Sequence, residues 1–190
     1  MRLFVFAALA ALLCLAAPET SRGQSSPAPA AAAAPPQWWA DHVNFITRDG
    51  GVWVTPNAAT DAAGPDAYAM EWRTANEGRV LSGRLYGLRE GREIAEYWTF
   101  REFWHPGENR AVVLQWGGPG VFGVGESRWE AGVGVLDQTF WLPDGRMWRE
   151  GHRNRELGDQ YETQAFDIDA LGNWTLNDRR IWRRLPLATP

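Results

Sequence analysis

The sequence predicts an all-β fold, a single antiparallel up-and-down barrel of about ten strands with a short N-terminal helix. After Thr47 the spacing of apolar residues changes from helical to period two and stays there. Turn signals rich in Gly, Pro, Asn and Asp recur mostly every nine to sixteen residues. Each interval holds one run rich in Val, Ile, Thr and aromatic residues, which is typical of a meander. Closure into a barrel removes the exposed edges that an open sheet would leave.

The chain begins with a predicted export signal. Residues 1–17 combine one positive residue, Arg2, with an uncharged apolar run that continues to Ala17. This pattern is typical of a secretory signal peptide, and the run is too short to span a bilayer permanently. Cleavage is expected after Ala17 or after Gly23, so the signal peptide is assigned to 1–23. The protein is therefore predicted to be periplasmic or secreted.

The single cysteine, Cys14, lies inside this predicted signal. A bacterial lipoprotein is cut just before a cysteine, after a small residue, but Leu13 stands at that place. We therefore expect Cys14 to be discarded with the signal rather than lipidated. The mature protein would then have no thiol, which excludes disulfides, thiolate catalysis and cysteine-bound metals.

A spacer separates the signal from the folded domain. Residues 24–36 consist almost entirely of Pro, Ala and Ser, a composition that cannot build a core and predicts a disordered, extended linker. The barrel domain is assigned to 37–190.

The domain opens with one helix, after which only strands are predicted. Between Gln37 and Ile46, the residues Trp38, Trp39 and Val43 share a side with Ile46 at helical spacing. The ten strands are predicted near 51–56, 67–76, 79–89, 92–105, 110–117, 120–130, 133–142, 146–156, 160–169 and 173–184.

Alternation along the strands predicts which side chains point inward. Trp72 on the second strand lies opposite Glu71 and Arg73, and Trp148 on the eighth lies opposite Arg149. On the last strand, one face is predicted to hold Trp174, Leu176, Asp178, Arg180 and Trp182. The outer surface is therefore predicted to be polar, with no transmembrane span in the mature chain.

Two features resemble the calycin superfamily. Gly51-Val52-Trp53 opens the first strand just after the helix, and the last strand is rich in arginine. Lipocalins, fatty-acid-binding proteins and nitrobindin-like domains start with Gly-x-Trp and pack that Trp against a basic residue of the closing strand. The chain most resembles secreted bacterial lipocalin-like domains of uncharacterised function. The resemblance implies that Trp53 plugs the closed end and that Arg180 or Arg183 stacks on it.

The resemblance also implies a ligand inside the barrel, and the composition narrows its class. A net charge of −4, a pI near 5.4 and the absence of any basic run exclude a nucleic-acid binder. Most of the twelve tryptophans are expected to fill the core, and a minority to line a cavity and stack on an apolar or ring-shaped ligand. We therefore expect a small hydrophobic or amphipathic molecule as partner. The predicted ligand-binding residues are the apolar Trp72, Trp98, Trp148 and Trp182 and the polar Arg84, Gln138, His152 and Arg180.

Two other function classes stay open. Glu150 and His152 are two residues apart on one strand face, so the carboxylate could orient the imidazole as a general base. Barrels of this type also serve as isomerases, cyclases or dehydratases, which makes these two the candidate catalytic residues. Alternatively, Glu150 pairs with a cross-strand arginine and has no chemical role. The third class is an envelope interaction protein whose barrel is packed solid with tryptophan.

No cofactor is predicted. The three histidines His42, His105 and His152 are far apart and lack the spacing of metal ligands. Nitrobindin-like barrels hold haem on a histidine near the closing strands, and no histidine follows His152 in this chain. Glu96 and Glu102 share a strand but lie about 20 Å apart along it, too far for the paired carboxylates of a glycosidase.

Two charged residues on the last strand can be interpreted in two ways. Asp178 and Arg180 are predicted on the same face as its tryptophans, where an isolated charge would be costly. Either the two side chains pair with each other, or the arginine meets an anionic ligand, as interior arginines do in fatty-acid-binding barrels.

Overall fold

The computed structural model describes residues 34–58 and 64–185, and within these ranges it confirms the ten-stranded antiparallel barrel. Helix α1 (Gln37–Thr47) and one turn of 3₁₀ helix, Arg48–Gly50, precede the barrel. The strands are β1 (Val52–Pro56), β2 (Ala67–Ala75), β3 (Val80–Arg89), β4 (Arg92–His105), β5 (Arg110–Gly117), β6 (Val121–Glu130), β7 (Val133–Trp141), β8 (Met147–Leu157), β9 (Gln160–Ile168) and β10 (Trp174–Arg184). The predicted signal peptide, Cys14 and most of the predicted spacer lie outside the described residues.

Each strand pairs with its neighbours in the chain, and β1 pairs with β10 to close the barrel. Consecutive turns therefore alternate between the two ends. The turns at 76–79, 106–109, 131–132 and 158–159 lie at one end, and those at 90–91, 118–120, 142–146 and 169–173 lie at the other. No helix in the described part of the chain is long and apolar enough to cross a membrane.

Helix α1 lies across the first of these ends, which we call the closed end. The Trp39 indole N–H donates to the carbonyl of Gly78 (2.8 Å) and Arg48 donates to that of Gly158 (2.6 Å), both in closed-end turns. Its apolar side buries Val43 and Ile46, as the helical spacing predicted. These residues join inward-facing side chains of the strands in one hydrophobic cluster, so the helix closes this end of the barrel.

Trp53 sits at the centre of this closure with 0% of its surface exposed. Its indole N–H donates to the carbonyl of Ile46 (2.8 Å), which ties the first strand to the end of the helix. The rings of Phe45 and Tyr161 lie 5.1 and 5.8 Å from the Trp53 ring, centre to centre. A large ring with a satisfied polar atom is an efficient plug, because it buries apolar area without leaving an unpaired donor.

The resemblance implied that Arg180 or Arg183 would stack on this ring, and that detail is corrected. The arginine in place is Arg184, whose guanidinium carbon lies 4.2 Å from the ring centre of Trp53. Arg184 also donates to the carbonyl of Phe45 (2.9 Å). Trp53 and Arg184 are direct partners in the β1–β10 ladder, so they project from the same face.

The last strand contains a bulge that the alternation did not predict. Leu176 pairs with Phe166, but Asp178 pairs with the next partner, so Asn177 is an extra residue. An inserted residue reverses the direction of every side chain that follows it. Trp174 and Leu176 consequently lie on the outer face, whereas Asp178, Arg180 and Trp182 point inward. The single face predicted for this strand is therefore wrong before Asn177.

Several aromatic rings lie over a glycine on the neighbouring strand. Trp72 covers Gly83, Trp98 covers Gly117, and Phe140 covers Gly123. A methyl group added at Gly123 would come within 2.4 Å of the Phe140 ring, closer than any real carbon contact. These glycines let large rings lie flat against the barrel wall.

We expect Gly123→Ala to lower the free energy of unfolding by about 1–3 kcal/mol, because the Phe140 ring must leave its place. Urea unfolding measures the change. The matched control is Gly107→Ala, where the added carbon would meet its nearest atom, in His105, at 3.5 Å. The control is expected to shift the free energy by less than about 0.5 kcal/mol. Equal effects of the two substitutions would contradict the ring-on-glycine explanation.

On the outer face, Glu162 is almost fully covered by its ion-pair partners. It is 2% exposed, accepts from Arg179, and has Arg155 at 3.4 Å and Gln164 at 3.2 Å. Burial acts to raise the pKa of Glu162, but the hydrogen bonds from Arg179 and Gln164 and the two nearby guanidinium groups outweigh it, so its pKa lies below the usual value. The ionised form of Glu162 therefore stabilises the barrel.

We expect Glu162→Gln to cost about 1.5–3 kcal/mol near neutral pH, the range for a hydrogen bond to a charged group. Because the pKa is depressed on folding, the stabilisation is present above the unfolded value of about 4.3 and is lost as pH falls through the folded value. Urea unfolding near pH 7 and near pH 3 measures this. The gap between wild type and variant should narrow in acid, and a gap that stays constant with pH would disprove the assignment.

Candidate functional site

The barrel interior contains a cavity of about 450 Å³, so the barrel is not packed solid. This volume lies within the range of about 300–1,000 Å³ found for small-molecule sites. Asp178 lines the cavity with its side chain 47% exposed. The cavity therefore reaches solvent at the end opposite α1, which we call the open end.

Aromatic and aliphatic side chains form most of the cavity wall. Trp72 stacks on Phe100 with ring centres 5.2 Å apart, and the edge of Trp98 meets Phe140 at 5.6 Å. The described wall also includes Met70, Leu85, Val113, Leu136 and Trp182. Such a surface binds apolar or ring-shaped molecules by excluding water and by stacking.

The structure brings five of the eight predicted ligand-binding residues together on the cavity wall. They are Trp72, Trp98, His152, Arg180 and Trp182. Trp148 lies just behind this wall, since its ring stacks on the lining Phe140 with centres 5.0 Å apart. Gln138 is 1% exposed, and neither atom of its amide has a hydrogen-bond partner among the described residues. It lies beneath the wall, against Gly125.

The interior position predicted for Arg84 is corrected. Arg84 projects from the outer face, where it donates to Glu71 (3.0 Å) and Glu93 (2.8 Å). Its neighbours Gly83 and Leu85 face inward, and strict alternation along β3 sends Arg84 the other way. Arg84 therefore does not line the cavity.

Two pairs of polar side chains lie toward the open end of the cavity. His152 Nε2 is 3.0 Å from Glu150 Oε1, and Arg180 donates to Asp178 at 2.6 Å. Arg180 also lies over the ring of Tyr68, 4.6 Å from its centre. This internal pair is one of the two outcomes predicted for Arg180.

Glu150, one of the two candidate catalytic residues, has a pKa that its surroundings shift. Burial acts to raise its pKa, but the hydrogen bond and charge of His152, together with a hydrogen bond from Trp148, bring the pKa below the usual value. Glu150 pairs with His152 on its own strand instead of with a cross-strand arginine. An ionised carboxylate beside an imidazole on a cavity wall can orient it for proton transfer.

A second polar group, at the floor of the cavity near α1, was missed from the sequence. His42 of α1 points into the barrel, with Nδ1 at 3.2 Å from Glu156 Oε1 and Nε2 at 4.0 Å from Glu102 Oε2. Burial raises the pKa of Glu102, against the opposing effects of the His42 charge and a hydrogen bond from Ser127. The three acid and base groups come from α1, β4 and β8, so no local sequence motif unites them.

The sequence nevertheless contained a signal for Glu102. It alternates with Trp98, Phe100 and Trp104 along β4, so it is a carboxylate on an otherwise aromatic face. Such a residue has to find a partner inside or bind one. His42 carries a similar signal, since it lies four residues after Trp38 and therefore on the buried side of the helix.

The cavity offers no metal site in the described residues, because residues 34–58 and 64–185 contain no group of three His, Cys, Asp or Glu side chains that could hold an ion. Neither a scan against protein-family models nor a search of curated proteins finds a match for the chain. The function is therefore inferred from the chemistry of this cavity.

Proposed function

We propose that this protein is an exported, calycin-like barrel that binds a small hydrophobic or amphipathic molecule in its interior. The observation that carries the proposal is the cavity of about 450 Å³, walled by stacked aromatic rings and open at one end. A barrel with a purely structural role gains stability from filling its interior, since unfilled space forfeits packing contacts. A cavity retained among so many large rings supports a ligand.

The polar groups of the cavity support an amphipathic rather than a purely apolar ligand. The pairs Glu150–His152 and Asp178–Arg180 lie toward the open end and a carboxylate–imidazole group lies at the floor, with the aromatic wall between them. Such a site suits a molecule with an apolar body and a polar group at one or both ends.

Native mass spectrometry tests the proposal directly. The full chain is expressed with its own leader in a Gram-negative host and purified from the periplasm, and its mass is compared before and after denaturation. We expect a mass excess that disappears on denaturation, and the polypeptide mass also reports whether and where the leader is cut. Saturable one-to-one binding of the neutral dye Nile red is the second readout. The proposal is overturned if no small molecule accompanies the protein and Nile red does not bind.

One observation favours a second function, acid–base catalysis on the bound molecule. Glu150 and His152 lie on the cavity wall 3.0 Å apart, with the carboxylate held in its ionised form. Proton transfer by this pair could support an isomerisation, cyclisation or dehydration.

Chromatography of the released molecule distinguishes the two functions. An enzyme should yield a mixture of substrate and product from the wild type and a single species from His152→Gln. A binding protein should yield the same species from both proteins. The catalytic alternative is rejected if the two profiles coincide while binding is retained.

A further inference from the structure

The floor of the cavity contains buried hydrogen-bond acceptors without partners. Glu102 is 4% exposed and Asn154 is 8% exposed, and both line the cavity. Glu102 Oε1 and Asn154 Oδ1 each lack a hydrogen-bond partner among the described residues. An unpaired buried acceptor costs about 1–3 kcal/mol, and a charged one costs more. Two such atoms, in side chains that line one cavity, are best explained by a ligand that donates hydrogen bonds to them.

The charge at the floor points to a cation. His42 lies between two carboxylates, those of Glu102 and Glu156. When both carboxylates are ionised, even a protonated imidazole neutralises only one of them, and a cationic ligand would balance the other. Burial is the largest cause of the raised pKa of the Tyr161 phenol, and the charges of Glu102 and Glu156 raise this pKa further. Among the described cavity residues the one arginine, Arg180, is already paired with Asp178.

Aromatic rings lie near these carboxylates and along the cavity wall. The ring of Trp129 lies 5.8 Å from that of His42, and Trp72 and Phe100 stack on the cavity wall. The faces of such rings attract cations, most strongly where water is excluded. A carboxylate inside an aromatic enclosure is a suitable environment for a protonated amine and an unfavourable one for an anionic head group.

We propose that the floor of the cavity, built on Glu102 and Asn154, binds the ammonium group of an amphipathic amine. This inference rests on the proposed function, which it narrows to one ligand class. The ammonium N–H groups donate to Glu102 Oε1 and Asn154 Oδ1, and the apolar body lies along the rings of Trp72 and Phe140 toward the open end. A fatty acid would place its carboxylate against Glu102 and is expected to bind poorly.

Three probes with eight carbon atoms each test the head-group preference: octylamine, octanol and octanoate. Isothermal titration of the full chain near pH 7 is expected to show octylamine binding at least about tenfold more tightly than octanol, with octanoate weakest. This comparison needs no variant, so it does not depend on how a substitution affects folding.

A substitution then assigns the preference to the floor. In Glu102→Gln the shape is kept and the charge is removed, so the affinity for octylamine is expected to fall about tenfold while that for octanol stays the same. The matched control is Glu126→Gln, one residue from Ser127 but on the outer face with its side chain 53% exposed. The control is expected to leave all three affinities unchanged.

The outcomes separate this inference from the proposed function. If octanol or octanoate binds as tightly as octylamine, the amine inference fails while the binding function stands. If the preference for octylamine persists in Glu102→Gln, the amine does not bind at this floor and the inference also fails. If none of the three probes binds and Nile red does not bind either, both proposals are overturned.

Discussion

Replacing Trp53 by alanine is expected to lower the free energy of unfolding by about 3–5 kcal/mol, out of a total of about 5–15 kcal/mol for a typical domain. The substitution removes a fully buried ring and leaves the carbonyl of Ile46 without its donor. It also uncovers the guanidinium of Arg184, which lies over that ring. Urea unfolding followed by far-ultraviolet circular dichroism measures the loss without depending on the missing fluorophore.

The matched control removes a tryptophan of the same size from the outer surface. Trp141 is 38% exposed, so Trp141→Ala is expected to cost less than about 1 kcal/mol. A similar loss in both variants would mean that the number of tryptophans, and not the plug at the closed end, determines stability.

Filling the cavity should abolish binding, the second large effect that we expect. Ala165 of β9 lies on the cavity wall, where it pairs across the sheet with His152 and Asp178. The side chain of Ala165→Trp would occupy space that the ligand needs. The affinity for Nile red is expected to fall at least about tenfold, the equivalent of 1.4 kcal/mol. A fluorescence titration measures the affinity, and circular dichroism checks that the fold is kept.

The control uses the preceding residue, Gln164, which points outward because side chains alternate along a strand. Gln164→Trp adds the same ring outside the cavity and should leave Nile red binding unchanged. If Ala165→Trp binds the dye as well as the wild type, the dye sits elsewhere. The exposed outer rings of Trp116 and Trp141 would then be the place to look.

The order and bounds of the elements could be predicted because their signals are local. Period-two alternation and turn residues place each strand to within one residue at either end, and the helical spacing before Thr47 places α1. The role of Trp53 was implied by the calycin resemblance, which rests on Gly51-Val52-Trp53 at the start of the barrel. Its arginine partner depends on the register between β1 and β10, which joins residues that are far apart in the chain.

The candidate site was predicted less completely, for two physical reasons. A single extra residue, Asn177, reverses the faces of β10, and an asparagine at this position does not by itself predict a bulge. His42 and Glu102 meet only because α1 docks on the closed end, an arrangement that no strand pattern contains. Arg84 is a different case, since the apolar alternation of its neighbours on β3 would have placed it outside.

The short pairing of β1 with β10 has a consequence for how the chain folds. Every other strand pair joins neighbours in sequence and can form as a hairpin, whereas this one joins Trp53 to Arg184, 131 positions apart (184 − 53). Closing so long a loop costs conformational entropy before the contacts between β1 and β10 can offset it. We therefore expect this pairing to form last during folding. The contacts among α1, the Trp53 indole and the Arg184 guanidinium at the closed end make that step favourable. A chain without them would remain an open sheet whose two unpaired edge strands can associate with other chains.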